Sequence, residues 1–273
     1  MSVTTAKKRA EFRALHKEGC FLLPNPWDTG SARLFQHIGF SALASTSTGF
    51  AWTMGKPDYA MQKDDVLAHL KTLCEVVDLP VNADFESGFA ADPDGVATNV
   101  KLAVETGIAG VSIEDRKLGD LSSLYDTAQS VDRIRAARAA IDATGEDVIL
   151  VARTEGLLIT PSAITKAIDK LVALAEAGAD CLYAPGVSKK EDISAMVRAV
   201  APKPLNVLVM GPGTTAKELA DLGVRRISVG GALSLPGWGA VLAAAEKFKA
   251  GSFDGLGGAT SGGQLNEIFA TFQ

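Results

Sequence analysis

The sequence predicts a (β/α)8 TIM barrel, and three observations carry that expectation. Eight short apolar or β-branched runs recur along the 273 residues, at 21–27, 42–48, 80–86, 110–116, 147–155, 181–187, 204–210 and 226–230. Stretches with helical spacing of apolar residues lie between them, among them 63–77, 131–143, 164–177, 191–200 and 216–222. Strands that alternate with helices need crossover connections and build a parallel sheet, and eight of them in this length suit a closed barrel. No strand runs into GxGxxG, so an open dinucleotide-binding sheet loses its main support.

The punctuation between elements agrees. Residues 1–18 are charged and helix-like, without the apolar run of a leader peptide. Pro93 stands near the start of one helix, and Thr160-Pro161 offers an N-cap followed by Pro at the first helical position. Gly107, Gly178 and Gly223 are placed to end three helices. The chain reads as one domain, 1–273, with an N-terminal helix and a C-terminal docking helix at 265–272. That last helix follows a Gly-rich stretch, is too short to be stable alone, and needs a surface to dock on.

Composition excludes several classes of function. A net charge of -5 and a pI near 5.3 argue against a nucleic-acid surface, because phosphate binding needs clustered Lys and Arg. An anionic small substrate remains compatible, since a local Arg or a metal overrides the global sign. No apolar run approaches the roughly 18 residues of a membrane span. Cys20, Cys74 and Cys181 show no CxxC spacing and read as reduced thiols, so a soluble, cytoplasmic protein is expected. His16, His37 and His69 lack metal-ligand spacing, and surface or capping roles are expected for them.

Chemistry in such a barrel sits at the C-terminal ends of the strands. The third strand ends Asn82-Ala83-Asp84-Phe85-Glu86, and residues two apart on a strand point to one side. Two carboxylates facing one way repel unless a cation or proton lies between them, and Mg2+ takes such oxygen ligands readily. The fourth strand adds Glu114, with Asp115 facing away, and the fifth projects Arg153 into the same mouth. Arg153 is able to pair with a carboxylate of the protein or to fork onto a substrate oxygen. Ser45-Thr46-Ser47-Thr48-Gly49 ends the second strand, as an anion pocket or as an ordinary turn. Asn206 places a polar amide in an apolar strand, where it must find partners.

In order and spacing these pieces resemble the isocitrate lyase/phosphoenolpyruvate mutase superfamily. The resemblance runs from Asn25-Pro26-Trp27-Asp28 through Thr46-Ser47-Thr48-Gly49 and Gly55-Lys56-Pro57-Asp58. It continues in Asp84-Phe85-Glu86-Ser87-Gly88, Ile113-Glu114-Asp115, Ala152-Arg153-Thr154-Glu155 and Pro204-Leu205-Asn206. It implies a barrel whose last helix is exchanged between subunits of a homo-oligomer, a dimer or a tetramer. It also implies a Mg2+ site, with Mn2+ as the alternative ion, in which Asp84 is nearest the metal and Asp58, Glu86 and Glu114 hold its waters. Thr46, Ser47 and Thr48, with Asn206, would bind a small carboxylate substrate, and Arg153 its C2 oxygen. Breaking a bond at C3 of a 2-oxo or 2-hydroxy acid then leaves an enolate that metal and Arg153 stabilise.

The chain departs from the pattern in two places. The superfamily's lyases carry Lys-Lys/Arg-Cys-Gly-His in a mobile loop after the fourth strand, whereas residues 116–126 hold neither Cys nor His. After the sixth strand, where 2-methylisocitrate lyases carry Glu, the chain reads Tyr183-Ala184-Pro185-Gly186. Asp120 and Tyr125 become the candidate acids of the loop. Two other readings compete. One is a phosphate-binding barrel resting on Met210-Gly211-Pro212-Gly213 and Gly230-Gly231; the other is a non-catalytic barrel that keeps its ligand pocket after losing the acid/base loop.

Overall fold

The computed structural model describes residues 3–273. Helix α1 (Thr5–Leu15) is followed by β1 (Phe21–Leu23), α2 (Thr29–Ile38), β2 (Leu43–Ala44), α3 (Ser47–Thr53), α4 (Lys63–Val76), β3 (Val81–Asp84), α5 (Pro93–Glu105) and β4 (Gly110–Glu114). A hairpin of β5 (Arg116–Lys117) and β6 (Asp120–Leu124) comes next. Beyond it lie α6 (Thr127–Asp142), β7 (Ile149–Arg153), α7 (Gly156–Ile159), α8 (Ile164–Glu176), β8 (Cys181–Tyr183) and α9 (Lys190–Val200). The chain ends with β9 (Leu205–Leu208), α10 (Ala216–Asp221), β10 (Arg226–Ser228), α11 (Leu235–Lys249) and α12 (Gly262–Ala270).

Eight strands form one parallel sheet in the order β1-β10-β9-β8-β7-β4-β3-β2. Its two end strands meet where the Ala44 N–H donates to the Pro24 carbonyl at 3.1 Å. Asn25 stitches this seam, donating to the Ser45 carbonyl at 3.0 Å and accepting from the Val229 and Gly230 N–H groups at 3.0 and 2.9 Å. The expected (β/α)8 barrel is the fold observed.

Two apolar cores hold it. The larger packs helix residues such as Leu70, Leu73, Val96, Val100, Ile141 and Leu171 against Val81, Val111 and Leu150 on the outer face of the sheet. A smaller one fills the barrel interior with Phe21, Leu23, Ala44, Ile149, Val151 and Cys181, and Phe12 of α1 plugs it. Lys8 and Arg9 tie α1 in place, donating to the carbonyls of Cys74 at 2.8 Å and of Ile108 and Val104 at 2.9 Å. Truncating a buried aromatic such as Phe12 to Ala costs about 3–5 kcal/mol. Among the described residues no helix is long and apolar enough to cross a membrane.

Several local expectations change. The third strand stops at Asp84, because Glu86 adopts φ 47° and the chain turns away. Thr160 closes α7 instead of opening α8, which starts at Ile164 behind Ala163 without a side-chain cap. The expected loop at 116–126 is largely the β5–β6 hairpin. Nothing in the sequence reading anticipates α11, which opens with Pro236 at a favourable first-turn position but then holds the weak helix formers Gly237 and Gly239. His16 does cap α1, its Nδ1 lying 2.8 Å from the Phe12 carbonyl, but it is buried. His69 stacks on Phe50 with ring centroids 3.9 Å apart, so it is packed and not a surface residue. His37 is exposed in the last turn of α2, as expected.

Candidate active site

Asp84 ends β3 and is held by the serine/threonine run after β2. Its Oδ2 accepts the Ser47 N–H at 3.0 Å and the Ser47 hydroxyl at 2.9 Å, and its own N–H donates to the Ser45 hydroxyl at 2.8 Å. Thr46 caps α3, its hydroxyl accepting the Gly49 N–H at 3.2 Å. Gly49 is required there, since a Cβ would stand 2.6 Å from the Thr46 methyl and 3.0 Å from Trp27 Cβ. The run therefore organises an acid as well as a turn.

Strain surrounds this acid. Tyr59, Glu86 and Phe89 all adopt left-handed backbone, with φ of 62°, 47° and 52°. Such a residue costs about 1–3 kcal/mol and persists only where its surroundings overdetermine it. Here they do. Arg133 donates to the carbonyls of Ser87, Ala90 and Ala91, Asn99 to that of Gly88, and the Glu114 N–H to that of Glu86 at 2.9 Å. Glu86 is thereby fixed beside Asp84 by its loop, not by strand alternation.

Sheet register supplies the rest, because Glu114, Arg153 and Tyr183 are partners on β4, β7 and β8. Arg153 contacts three carboxylates: Glu155 Oε1 at 2.6 Å, Asp84 Oδ1 at 3.3 Å and Glu114 Oε2 at 3.4 Å. The Tyr183 ring lies 5.1 Å from its guanidinium carbon. Glu155 reaches on to Arg116 Nη2 at 3.0 Å, and the Tyr59 hydroxyl donates to Glu114 Oε1 at 2.8 Å. Asp115 faces away from the mouth, as expected, onto Lys170 and Thr154 at 2.6 and 2.7 Å.

The electrostatics are those of crowded, buried acids. Burial, then Asp84, Glu114 and Asp58, push the Glu86 carboxyl up to about 8. Burial also lifts Glu114 to about 8, with Arg153 opposing and Glu155 adding. Asp58 rises for the same first reason, against a hydrogen bond from Thr48. Burial works against the Arg153 charge, but Glu155 and Glu114 outweigh it and hold the guanidinium protonated. None of the described side chains donates a hydrogen bond to Glu86.

The donor set suits a hard cation. Among the described residues no three His, Cys, Asp or Glu side chains stand close enough to enclose an ion directly. Mg2+ does not require that, since it keeps several waters and takes one or two carboxylates. Asp58, Asp84, Glu86 and Glu114 are the carboxylates able to hold such an ion, although Asp84 is engaged by Ser47 and Arg153 in this conformation. Here Arg153 lies in the mouth, paired to three carboxylates. A small cavity of about 30 Å³ is lined by Asn25, Asn82, Asp84, Arg153 and Arg226, with room for water and not for a substrate.

Of the residues singled out from sequence, Ser47, Thr48, Asp58, Asp84, Glu86, Glu114 and Arg153 come together, with Thr46 supporting them. Three do not join them. Asn206 is wholly buried, donating to the Ser228 hydroxyl and accepting from Arg226 Nε, both at 2.9 Å. Asp120 lies at the exposed turn of the hairpin and accepts the Ser122 hydroxyl at 2.6 Å. Tyr125 is buried with its ring 4.1 Å from the Arg133 guanidinium carbon. Sequence reasoning missed Tyr59, Glu155, Tyr183 and the Arg116 contact. Glue of this kind leaves little trace, although Glu155, two residues beyond Arg153 at a strand end, was a usable sign.

Comparison with known proteins places this geometry. Residues 12–249 match the family described as phosphoenolpyruvate phosphomutase. An uncharacterized protein of Mycobacterium tuberculosis is 30% identical over 88% of each chain. The crystal structure of a Burkholderia cenocepacia protein named for lyase/mutase activity is 42% identical, covers 97% of each chain and superposes with a TM-score of 0.93. Oxaloacetate acetylhydrolase in complex with its product oxalate is 26% identical, covers 98% of this chain and 95% of its own, and has a TM-score of 0.87. Other relatives are named as lyases and as a decarboxylase.

Proposed function

The chain belongs to the phosphoenolpyruvate phosphomutase family, and on that footing we propose a Mg2+-dependent enzyme that acts on a small 2-oxo or 2-hydroxy (di)carboxylate through an enolate-like intermediate, cleaving a C–C bond. One observation carries the reading: Asp58, Asp84, Glu86 and Glu114 crowd round Arg153 in one mouth, where burial and mutual repulsion push Glu86 and Glu114 up to about 8, a set of acids that a bound cation would relieve. Asp84 would hold the ion, and Asp58, Glu86 and Glu114 its waters; Mn2+ meets the same demands. When bound, the ion supplies Lewis-acid stabilisation of the charge that develops on the C2 oxygen.

The chain's own residues do the remaining work. Arg153 turns from Asp84 and Glu114 to the C2 oxygen, while Glu155 and the Tyr183 ring keep its plane oriented. Thr46, Ser47 and Thr48 are assigned to the substrate carboxylate, and Asn206 to the support of that pocket from within the barrel. For a 2-oxo diacid such as oxaloacetate the C3–C4 bond breaks, CO2 departs without the electron pair, and the pair stays on C3 as the enolate whose C2 oxygen Arg153 would face. The carbon then takes a proton from solvent, because the two expected donors stand apart from the mouth: Asp120 lies at the exposed turn of the hairpin and Tyr125 is packed on Arg133.

The test is a panel of oxaloacetate, 2-methylisocitrate and phosphonopyruvate, with and without Mg2+, read by release of pyruvate, oxalate or phosphate. Turnover of one carboxylate substrate only with Mg2+, abolished in Asp84→Ala, is expected; activity retained in Asp84→Ala rules out the metal assignment. Phosphonopyruvate turnover alone would move the reading to C–P chemistry. The hairpin's lack of an acid at the mouth favours one second reading, a ligand-binding barrel without turnover. Binding of oxalate and of 3,3-difluorooxaloacetate, which inhibits oxaloacetate acetylhydrolase, with no activity on any acid would establish it.

We further propose a homo-oligomer, dimer or tetramer, with its last helix exchanged between subunits. Supporting this, α11 has no buried side chain and exposes Val241, Leu242 and Phe248. A cytoplasmic location is proposed from the three free thiols.

A further inference from the structure

The hairpin that replaces the expected loop carries a second guanidinium into the site. Arg116 is the first residue of β5, and its side chain is only 15% exposed. Its Nη2 lies 3.0 Å from Glu155 Oε2, while the other oxygen of the same carboxylate takes Arg153 Nε at 2.6 Å. One carboxylate thus bridges two cations. The Arg116 guanidinium carbon also lies 5.7 Å from the centroid of the Tyr59 ring, whose hydroxyl is on Glu114. Arg116 therefore flanks the acid cluster on the side of the hairpin.

Its hydrogen bonding is incomplete. Nη1 donates to the Leu121 carbonyl across the hairpin, but the buried Nε has no partner among the described residues. An N–H left unpaired in a buried place costs about 1–3 kcal/mol, and one attached to a charged group costs more. Flexibility does not explain it, because both feet of the hairpin are clamped. Lys170 donates to the Tyr125 carbonyl and pairs with Asp115, each at 2.6 Å, and the Tyr125 N–H donates to the Asp115 carbonyl at 2.8 Å. Arg116 is a fixed cation beside the acid cluster, with one N–H unpaired and closed to solvent in this conformation.

We propose that Arg116 is a specificity residue that binds the second carboxylate of a dianionic substrate, while Arg153 and the acid cluster take the 2-oxo or 2-hydroxy acid end. The inference rests on the function proposed above and deepens it. A carboxylate offers two acceptor oxygens, enough to share the guanidinium with Glu155 and to satisfy Nε once the Glu155 contact shifts to uncover it. A neutral substituent offers no such match, so the site selects dianions over monocarboxylates of similar length.

Two probes separate the ends of the ligand. Oxalate occupies the 2-oxo acid end alone, and 3,3-difluorooxaloacetate adds the distant carboxylate. Titration calorimetry of the Mg2+-loaded protein measures both in the unmodified chain, Arg116→Met and Arg116→Lys. In Arg116→Met oxalate affinity is expected to hold within about twofold, while 3,3-difluorooxaloacetate weakens by roughly tenfold or more, the worth of a charge-assisted hydrogen bond. Arg116→Lys restores part of that loss by keeping the charge. Equal weakening of both probes, or no weakening of either, overturns the assignment and leaves Arg116 a structural contact of Glu155. If neither probe binds the unmodified protein with Mg2+, the functional reading itself fails and this one falls with it.

Discussion

Glu86 sets the electrostatics of the mouth at the scale of single residues. Its native carboxyl sits near 8 against 4.5 in an unfolded chain, so the native state keeps a proton that the unfolded state has already lost across that interval. The associated stability is fully present below pH 4.5 and is lost as pH rises through 8, at up to about 1.4 kcal/mol per pH unit. Burial lowers the His16 imidazole to about 3, which affects stability in the opposite sense and below its ordinary 6.5. Urea unfolding of the metal-free protein between roughly pH 7 and pH 8 therefore isolates the carboxylates. Stability is expected to fall across that window and to recover with Mg2+, more so at the higher pH. A flat or rising metal-free profile would show that Glu86 is not a proton-holding acid. Arg226 is the other telling residue. It is buried in the barrel with two amides for partners, Asn206 at 2.9 Å and Asn82 at 3.2 Å, and burial lowers its pKa. The sequence shows only Arg225-Arg226 at a strand start, where a solvent-facing pair is the ordinary expectation; closure of the barrel turns one of them inward.

Among the elements, the hairpin depends most on a single contact. Lys170 of α8 neutralises Asp115 and binds the Tyr125 carbonyl, joining the end of β4 to the start of α6. Replacing it with Met leaves Asp115, 3% exposed, with only the Thr154 hydroxyl and the Glu155 N–H. Breaking a buried pair from one side costs about 3–5 kcal/mol. Lys170→Met should lose stability on that scale, and hydrogen exchange should show the amides of β5 and β6 losing more protection than those of β3. Uniform protection loss, or a stability loss below about 1 kcal/mol, would mean that the hairpin is held by other contacts. The clamp also accounts for an ordered hairpin where the sequence suggested a mobile loop: the partner that orders it lies 45 residues away.

The whole molecule has one face that its own chain does not cover. Residues 235–256 make a small unit in which Phe248 meets Phe253 with centroids 5.8 Å apart, yet Val241, Leu242 and Phe248 are each at least 60% exposed. By contrast α12 lies against α2, with Arg33 5.4 Å from the Phe272 ring centroid. Large apolar side chains in a row on one helix mark an association surface. Leu242→Glu is expected to shift the protein to a smaller species in sedimentation velocity while leaving its circular dichroism unchanged. An unchanged sedimentation coefficient would take α11 out of the interface.

Sequence alone determined the barrel, the strand ends that carry acids, and the family, because periodicity and motif order are local properties that survive without coordinates. It also identified most of the mouth: Asp58, Asp84, Glu86, Glu114 and Arg153. Only the tertiary structure decided how they meet. Glu86 arrives through a left-handed turn held by Arg133 and Asn99, Glu155 becomes the bridge between two arginines, and Tyr59 is bent onto Glu114. These arrangements depend on side chains many residues apart competing for a few buried donors and acceptors. That competition is settled by closure of the sheet and the exclusion of water, and no pattern within one strand or helix records its outcome.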